Sequence, residues 1–132
     1  MILLKRAYDP AAGDDGYRVL VERLWPRGVR KTDLQLDAWM KDIAPSHEVR
    51  RWFGHDRARW SEFVTRYRRE LSEGPAAEAL AELARRASVG MVTLVYSARD
   101  ETHNSAVVLR GEIERALAGR LRRKANDETG VA

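Results

Sequence analysis

The sequence contains no cysteine. That excludes a disulfide frame, a zinc–thiolate site and a cysteine nucleophile. It suits a reducing compartment. Long apolar runs are missing as well. Met1-Ile2-Leu3-Leu4 gives way at once to Lys5-Arg6, so no stretch reads as a signal peptide or a membrane span. There is no G-x-x-x-x-G-K-[ST] loop, no G-x-G-x-x-G and no serine-nucleophile motif. His47, His55 and His103 show no metal-ligand spacing with one another. Asp14-Asp15-Gly16 sets two carboxylates side by side, but no third carboxylate follows at a useful spacing. It reads as turn chemistry rather than a hard-cation site. The expectation is a soluble cytoplasmic protein with no cofactor, no bound metal and no membrane partner.

What is present fits one domain. A chain of 132 residues, 44% of them apolar, can bury one ordinary core. The net charge is +4 and the pI is near 9.8. Half of that charge sits in residues 120–132, where Arg120, Arg122, Arg123 and Lys124 face only Asp127 and Glu128. The remainder is mildly basic. General attraction to polyanions, nucleic acid included, follows from this; a dedicated nucleic-acid stripe does not.

Ile2–Arg6 reads as a first strand. Residues 8–16, with Pro10, Gly13, Gly16 and three aspartates, read as loop. A second strand covers Arg18 to Leu24. The gap between the two is too short for a crossover helix, which favours a hairpin. Thr32 and Gln35 have capping-box spacing. Leu36, Trp39, Met40 and Ile43 then follow at i, i+3, i+4, i+7, which predicts a helix stopped by Pro45. Ser46 caps a short helix with Val49, Trp52 and Phe53 inward and Gly54 at its end. Asp56 opens a helix with the stripe Trp60, Phe63, Val64, Tyr67 and Leu71. Its outward row, Arg59, Glu62, Arg66 and Arg69, is a solvated face. Pro75 starts another helix, with Leu80, Leu83, Ala84 and Ala87 inward. Met91–Tyr96 is apolar on both faces and should be the central strand. A last helix carries Ala106, Leu109, Ile113, Ala116 and Leu117. The expectation is an α/β domain over residues 1–118, with a small sheet of three or four strands flanked by about five helices. A basic, frayed tail covers 119–132.

The pieces YDPAAGDDGYRVLVERLWPRG, LDAWMKDIAPS, VRRWFGHDRARWSEFVTRYRREL and VTLVYSARDETHNSAVVL occur in this order. Together they resemble the YeaO-like family, a branch of the group called domain of unknown function 488 (DUF488), from about Leu4 to Leu117. The resemblance implies a compact α/β fold with a mostly parallel sheet, against the hairpin that spacing favours. It supplies no reaction. The wider group often carries a cysteine near the end of the third strand and a Cys-His-Arg triplet at the start of the last helix. Here those places hold Tyr96 and Thr102-His103-Asn104, so thiol chemistry does not carry over.

The first candidate site is the end of the second strand and the arginine-rich loop after it. Arg23, Trp25, Arg27 and Arg30 suit an anion cradle, with guanidinium forks for phosphate or carboxylate and an indole for stacking. They also suit a structural ion-pair network around a packed tryptophan. The second is the turn from Ser97 to Asn104. Asp100 is expected as an N-cap or as the ion-pair partner of Arg23 or Arg27. Tyr96, Ser97, His103 and Asn104 would line a pocket edge, with His103 the one general acid–base candidate or an ordinary surface residue. One hypothesis is therefore an anion- or nucleotide-binding pocket, with or without catalysis on a phosphorylated or acidic small molecule. The other is a non-catalytic module that binds a protein or nucleic acid through its basic surface. Nothing in the sequence sets the oligomeric state.

Overall fold

The computed structural model describes residues 1–128. Its strands are β1 (Ile2–Arg6), β2 (Tyr17–Leu20), β3 (Ala38–Trp39) and β4 (Val92–Tyr96). Its α-helices are α1 (Lys31–Leu34), α2 (His47–Phe53), α3 (Trp60–Leu71), α4 (Gly74–Val89) and α5 (Ser105–Glu128). Short 3-10 turns cover Gly13–Asp15, Lys41–Ile43 and Arg57–Arg59.

All pairings in the four-stranded sheet are parallel, in the order β1-β4-β2-β3. β4 is central and every one of its residues is buried, as its unbroken apolar run requires. The hairpin suggested by spacing does not form, because β4 lies between β1 and β2. Residues 7–16 instead run back along the sheet with no α-helix and only the 3-10 turn Gly13–Asp15, which mostly extended chain at roughly 3.3 Å per residue allows. That return ends at Gly16, where φ is +65° and an added Cβ would lie 2.3 Å from the Met91 carbonyl oxygen. Only glycine fits this close approach.

The two faces of the sheet are covered differently. Val19, Val21, Val92, Leu94 and Tyr96 pack under α3, α4 and α5 in the main core. The stripes Phe63, Tyr67, Leu71 and Leu109, Ile113 meet them there. Each such side chain contributes about 1.5–3 kcal/mol by burial. On the other face, Leu20 and Val95 pack beneath loops, with Ala7, Leu34, Trp25, Val29 and Leu36.

A charged cluster is buried under the loop-covered face. Asp15 is 1% exposed and Arg18 4%. The Asp15 carboxylate lies 2.6 Å from Lys5 Nζ and 2.6 Å from Arg18 Nη1, and it accepts the Ala12 N–H at 3.0 Å. Burial alone would push the Asp15 carboxyl up. The donors Lys5, Ala12 and Arg18 outweigh it and hold the group below its ordinary value. The rest of the Arg18 guanidinium donates to the carbonyls of Leu34 and Gln35.

Residues 32–43, predicted as one helix, instead form one helical turn, an edge strand and a 3-10 turn. Arg18 caps a single turn of helix at Leu34, and Gln35 turns left-handed at φ +49°. The Asp37 carboxylate then accepts the Arg18 N–H at 2.8 Å, and Ala38–Trp39 joins the sheet edge as β3. Three of the four apolar residues that fit a helical stripe divide instead between two clusters, and Trp39 stays exposed. Leu36 packs on the loop-covered face, and Met40 and Ile43 in the main core. Thr32 is not a cap; α1 starts after Arg30.

Other local signals match. The Ser46 hydroxyl accepts the Val49 N–H, Gly54 ends α2 in the left-handed region, and Asp56 caps the 3-10 turn. The last helix departs from expectation. α5 continues to Glu128, past the Gly119 at which a frayed tail was expected. Gly119 costs only about 1 kcal/mol relative to alanine, and the Arg, Leu, Lys and Ala that follow are strong helix formers. The rest of the expected tail, residues 129–132, lies outside the described residues.

Candidate functional site

The sheet register brings two chain exits together. Leu20 of β2 stands opposite Val95 of β4, and the Val21 N–H donates to the Val95 carbonyl at 3.2 Å. Beyond these residues the chain leaves the sheet side by side, as Glu22–Leu24 and as Ser97–Asp100. β2 stops at Leu20 rather than Leu24, because the polar groups beyond it turn elsewhere. The Glu22 carbonyl accepts the Trp39 indole N–H at 2.6 Å, and Arg23 Nε donates to the Pro45 carbonyl at 2.9 Å.

A cleft of about 540 Å³ opens between these exits and α2. Phe53, Phe63, Ala44, Pro45 and Ala98 supply apolar lining, and Leu24 and His55 also border it. Its polar lining is Glu22, Arg23, Arg50, Ser97, Arg99, Asp100, Asn104 and Ser105.

The carboxylates of the cleft are already satisfied by the protein. Glu22 Oε1 accepts the Ser97 N–H at 2.7 Å, and Oε2 accepts the Ser97 hydroxyl at 2.6 Å. Asp100 accepts the N–H groups of Thr102 and His103 and the Thr102 hydroxyl, each at 3.0 Å. It also lies 3.0 Å from Arg57 Nε and 3.2 Å from His103 Nδ1. These donors, the Thr102 N–H foremost, hold the Asp100 carboxyl well below the usual carboxylate range, against an opposing contribution from burial. The arginines are not used up in this way. Arg23 spends its Nε on Pro45. Arg50 reaches only His47 Nδ1, at 3.4 Å. Arg99 is exposed. The terminal nitrogens of Arg23 and the whole Arg99 head have no partner among the described residues.

Asn104 caps α5 by accepting the Val107 N–H at 3.1 Å, and its own amide donates to the Asp100 carbonyl at 2.9 Å. It is 4% exposed. Its role is to fix the start of α5 at the cleft edge.

The structure separates the residues nominated from sequence. Arg23, Ser97, Asp100 and Asn104 line the cleft; Trp25, Arg27, Tyr96 and His103 do not. Trp25 packs edge-on against Trp39, with ring centres 5.4 Å apart, and donates to the Val29 carbonyl at 2.6 Å. Arg27 is exposed and contributes its carbonyl to the Tyr8 hydroxyl. Arg30 pairs with Asp33 on the surface. Tyr96 is core, and burial followed by the nearby Glu101 charge pushes its phenol up. His103 is held between Asp100 and the edge of Trp60, at a ring separation of 5.2 Å. The expected pairing of Asp100 with Arg23 or Arg27 is replaced by Arg57. Sequence reasoning missed Glu22, Arg50, Arg99 and Ser105. Glu22 carried the same signal as Arg23, a charged residue just past a buried strand. Arg50 carried none, since its place depends on how α2 packs.

Among the described residues, no group of three or more His, Asp or Glu could hold a metal ion. No described helix is long and apolar enough to cross a membrane.

An all-parallel sheet with a cleft where the central strands end defines a small α/β domain of the open-sheet kind. The chain belongs to the DUF488 group: a family model described as the inactive DUF488-N3 subclade matches residues 1–130. It is 46% identical over 109 residues to the protein named Uncharacterized protein YeaO of Escherichia coli K12, covering 82% of this chain and 92% of that one. It is 42% identical over 108 residues to Uncharacterized protein Rv3073c of Mycobacterium tuberculosis H37Rv and to Uncharacterized protein Mb3100c of Mycobacterium bovis, covering 82% of this chain and 89% of each. No solved structure matches.

Proposed function

We propose that the protein binds an anionic small molecule, a nucleotide or another phosphorylated or acidic compound, in the cleft at the ends of β2 and β4, and does so without catalysing a reaction. The observation that carries this reading is the imbalance of charge satisfaction. Glu22 and Asp100 are occupied by protein donors, while Arg23, Arg50 and Arg99 keep guanidinium nitrogens for a ligand. Arginine forks match phosphate and carboxylate geometry, and the apolar lining suits the body of an organic anion. The non-catalytic part draws on the description of the family as inactive. It draws also on His103, which is engaged by Asp100 and Trp60 outside the cleft lining. Residence in the cytoplasm belongs to the same reading.

A thermal-shift series with inorganic phosphate, sulfate and nucleotides tests it. A ligand at a hundred times its Kd stabilises by about 2.7 kcal/mol. The shift should be lost in Arg23→Ala and Arg99→Ala and should survive charge removal at Arg120, Arg122, Arg123 and Lys124. Melting temperatures unmoved by every anion would end the proposal.

A second reading has its own observation. Arg120, Arg122, Arg123 and Lys124 are all exposed near the end of α5, and this arm suits a nucleic-acid backbone. Binding there would weaken steeply with salt, with a log–log slope of roughly −0.7 to −0.9 per phosphate contact. It would vanish with the four charges.

A further inference from the structure

The cleft contains an anion of its own. Glu22 projects into it from the end of β2, and its two oxygens take the N–H and the hydroxyl of Ser97 at 2.7 and 2.6 Å. These are short, charge-assisted bonds. Among the described residues, no Lys, Arg or His nitrogen forms an ion pair with this carboxylate. A main-chain N–H and a neighbouring hydroxyl at the carboxyl end of a central strand are the donors with which a protein grips a phosphate or carboxylate. Here one of the protein's own side chains already fills that grip.

We propose that Ser97 forms an inner anion seat and that Glu22 is its resident occupant, so that Glu22 sets the specificity of the cleft by keeping an external anionic group off its floor. This rests on the anion-binding reading above. A ligand's charged group is then confined to the arginines at the rim, and a second anion close to Glu22 is repelled. Glu22 is thus a specificity-determining residue. A purely structural tie between the β2 and β4 exits would predict a loss of stability on its removal and no gain in affinity.

Calorimetric titration of inorganic phosphate into the wild-type protein, Glu22→Gln and Glu22→Ala separates these possibilities. Both variants should bind at least about tenfold tighter than wild type, and adding Ser97→Ala to Glu22→Gln should give back part of that gain, because the Ser97 hydroxyl is lost while its N–H remains. Wild-type binding with equal or weaker binding in both variants would overturn the inference while leaving the anion-binding reading intact. Binding by the variants alone would keep the seat and end that reading for the wild-type protein. No binding by any of the three would end both. If neither variant folds, the wild-type protein still decides. In a phosphate titration followed by amide NMR, the Arg99 signal should move and the Ser97 signal should stay. Ser97 moving as far as Arg99 would overturn the proposal.

Discussion

Arg18 and Arg23 stand five positions apart on one stretch of chain, and they lead opposite lives. Arg18 points under the loop-covered face, where Asp15 and the carbonyls of Leu34 and Gln35 take its guanidinium donors. Arg23 lies beyond the end of β2, gives one N–H to Pro45, and keeps the others at an open cleft. The residue type is the same and the charge is the same. What differs is how many nitrogens the protein itself satisfies. A buried arginine with its donors paired is part of the fold, whereas an arginine with free donors beside an apolar concavity can serve a ligand. The cluster around Arg18 is closed chemistry; the cluster around Arg23, Arg50 and Arg99 is open.

The largest expected effect breaks the closed side. Arg18→Met leaves Asp15 with Lys5 as its one remaining cation and strips the caps from α1. Removing one partner from a buried ion pair costs about 3–5 kcal/mol, readable as a lower urea midpoint. The remaining folded protein should still bind phosphate at the cleft, since Arg18 lies outside its lining. Loss of anion binding without loss of stability would reverse the assignment of roles.

The next effect is one of pH. The Asp15 carboxyl is depressed in the folded protein. Its stabilising contribution is therefore complete above the unfolded carboxyl's pKa and is lost as pH falls through the folded one. Asp15→Asn should flatten the acid limb of a stability-against-pH curve. An unchanged limb would show that Asp15 is not ionised in the folded state.

Smaller effects lie on the open side. Arg23→Ala removes a single hydrogen bond to Pro45 and should cost only about 1 kcal/mol of stability, yet it should remove most of the phosphate-induced shift. Trp25→Phe sharpens the contrast further. It loses one hydrogen bond to Val29, again about 1 kcal/mol, and should leave anion binding untouched, because the indole packs against Trp39 away from the cleft.

The sequence was informative where local pattern and tertiary position agree. β4 reads as central because an unbroken apolar run has no other place to go, and the stripes of α3, α4 and α5 all face the main core as their periodicity requires. It misled where one pattern served two environments. Leu36, Trp39, Met40 and Ile43 satisfy a helical period, yet Leu36 packs on one face of the sheet, Met40 and Ile43 on the other, and Trp39 stays exposed at the edge. The deciding groups, Arg18 and Asp37, lie outside the pattern. The site was legible in outline for a similar reason. A mostly parallel sheet, as the resemblance implies, sends its strands out at the same end, so the residues just past β2 and β4 were the ones to nominate. Which of them would face the cleft could not be read from the chain. Trp25 and Tyr96 were claimed by packing, and His103 by Asp100 and Trp60. Arg50 and Arg99 reach the rim through the placement of α2 and of the turn after β4.

The contrast between closed and open arginines is tested most directly by the arginine Nε–Hε NMR signals during a titration with inorganic phosphate. The Arg23 and Arg99 signals should shift and saturate together, at one common Kd, while the Arg18 signal stays fixed. If Arg18 moves with them, or if Arg23 and Arg99 do not respond, the division drawn between the two clusters is wrong.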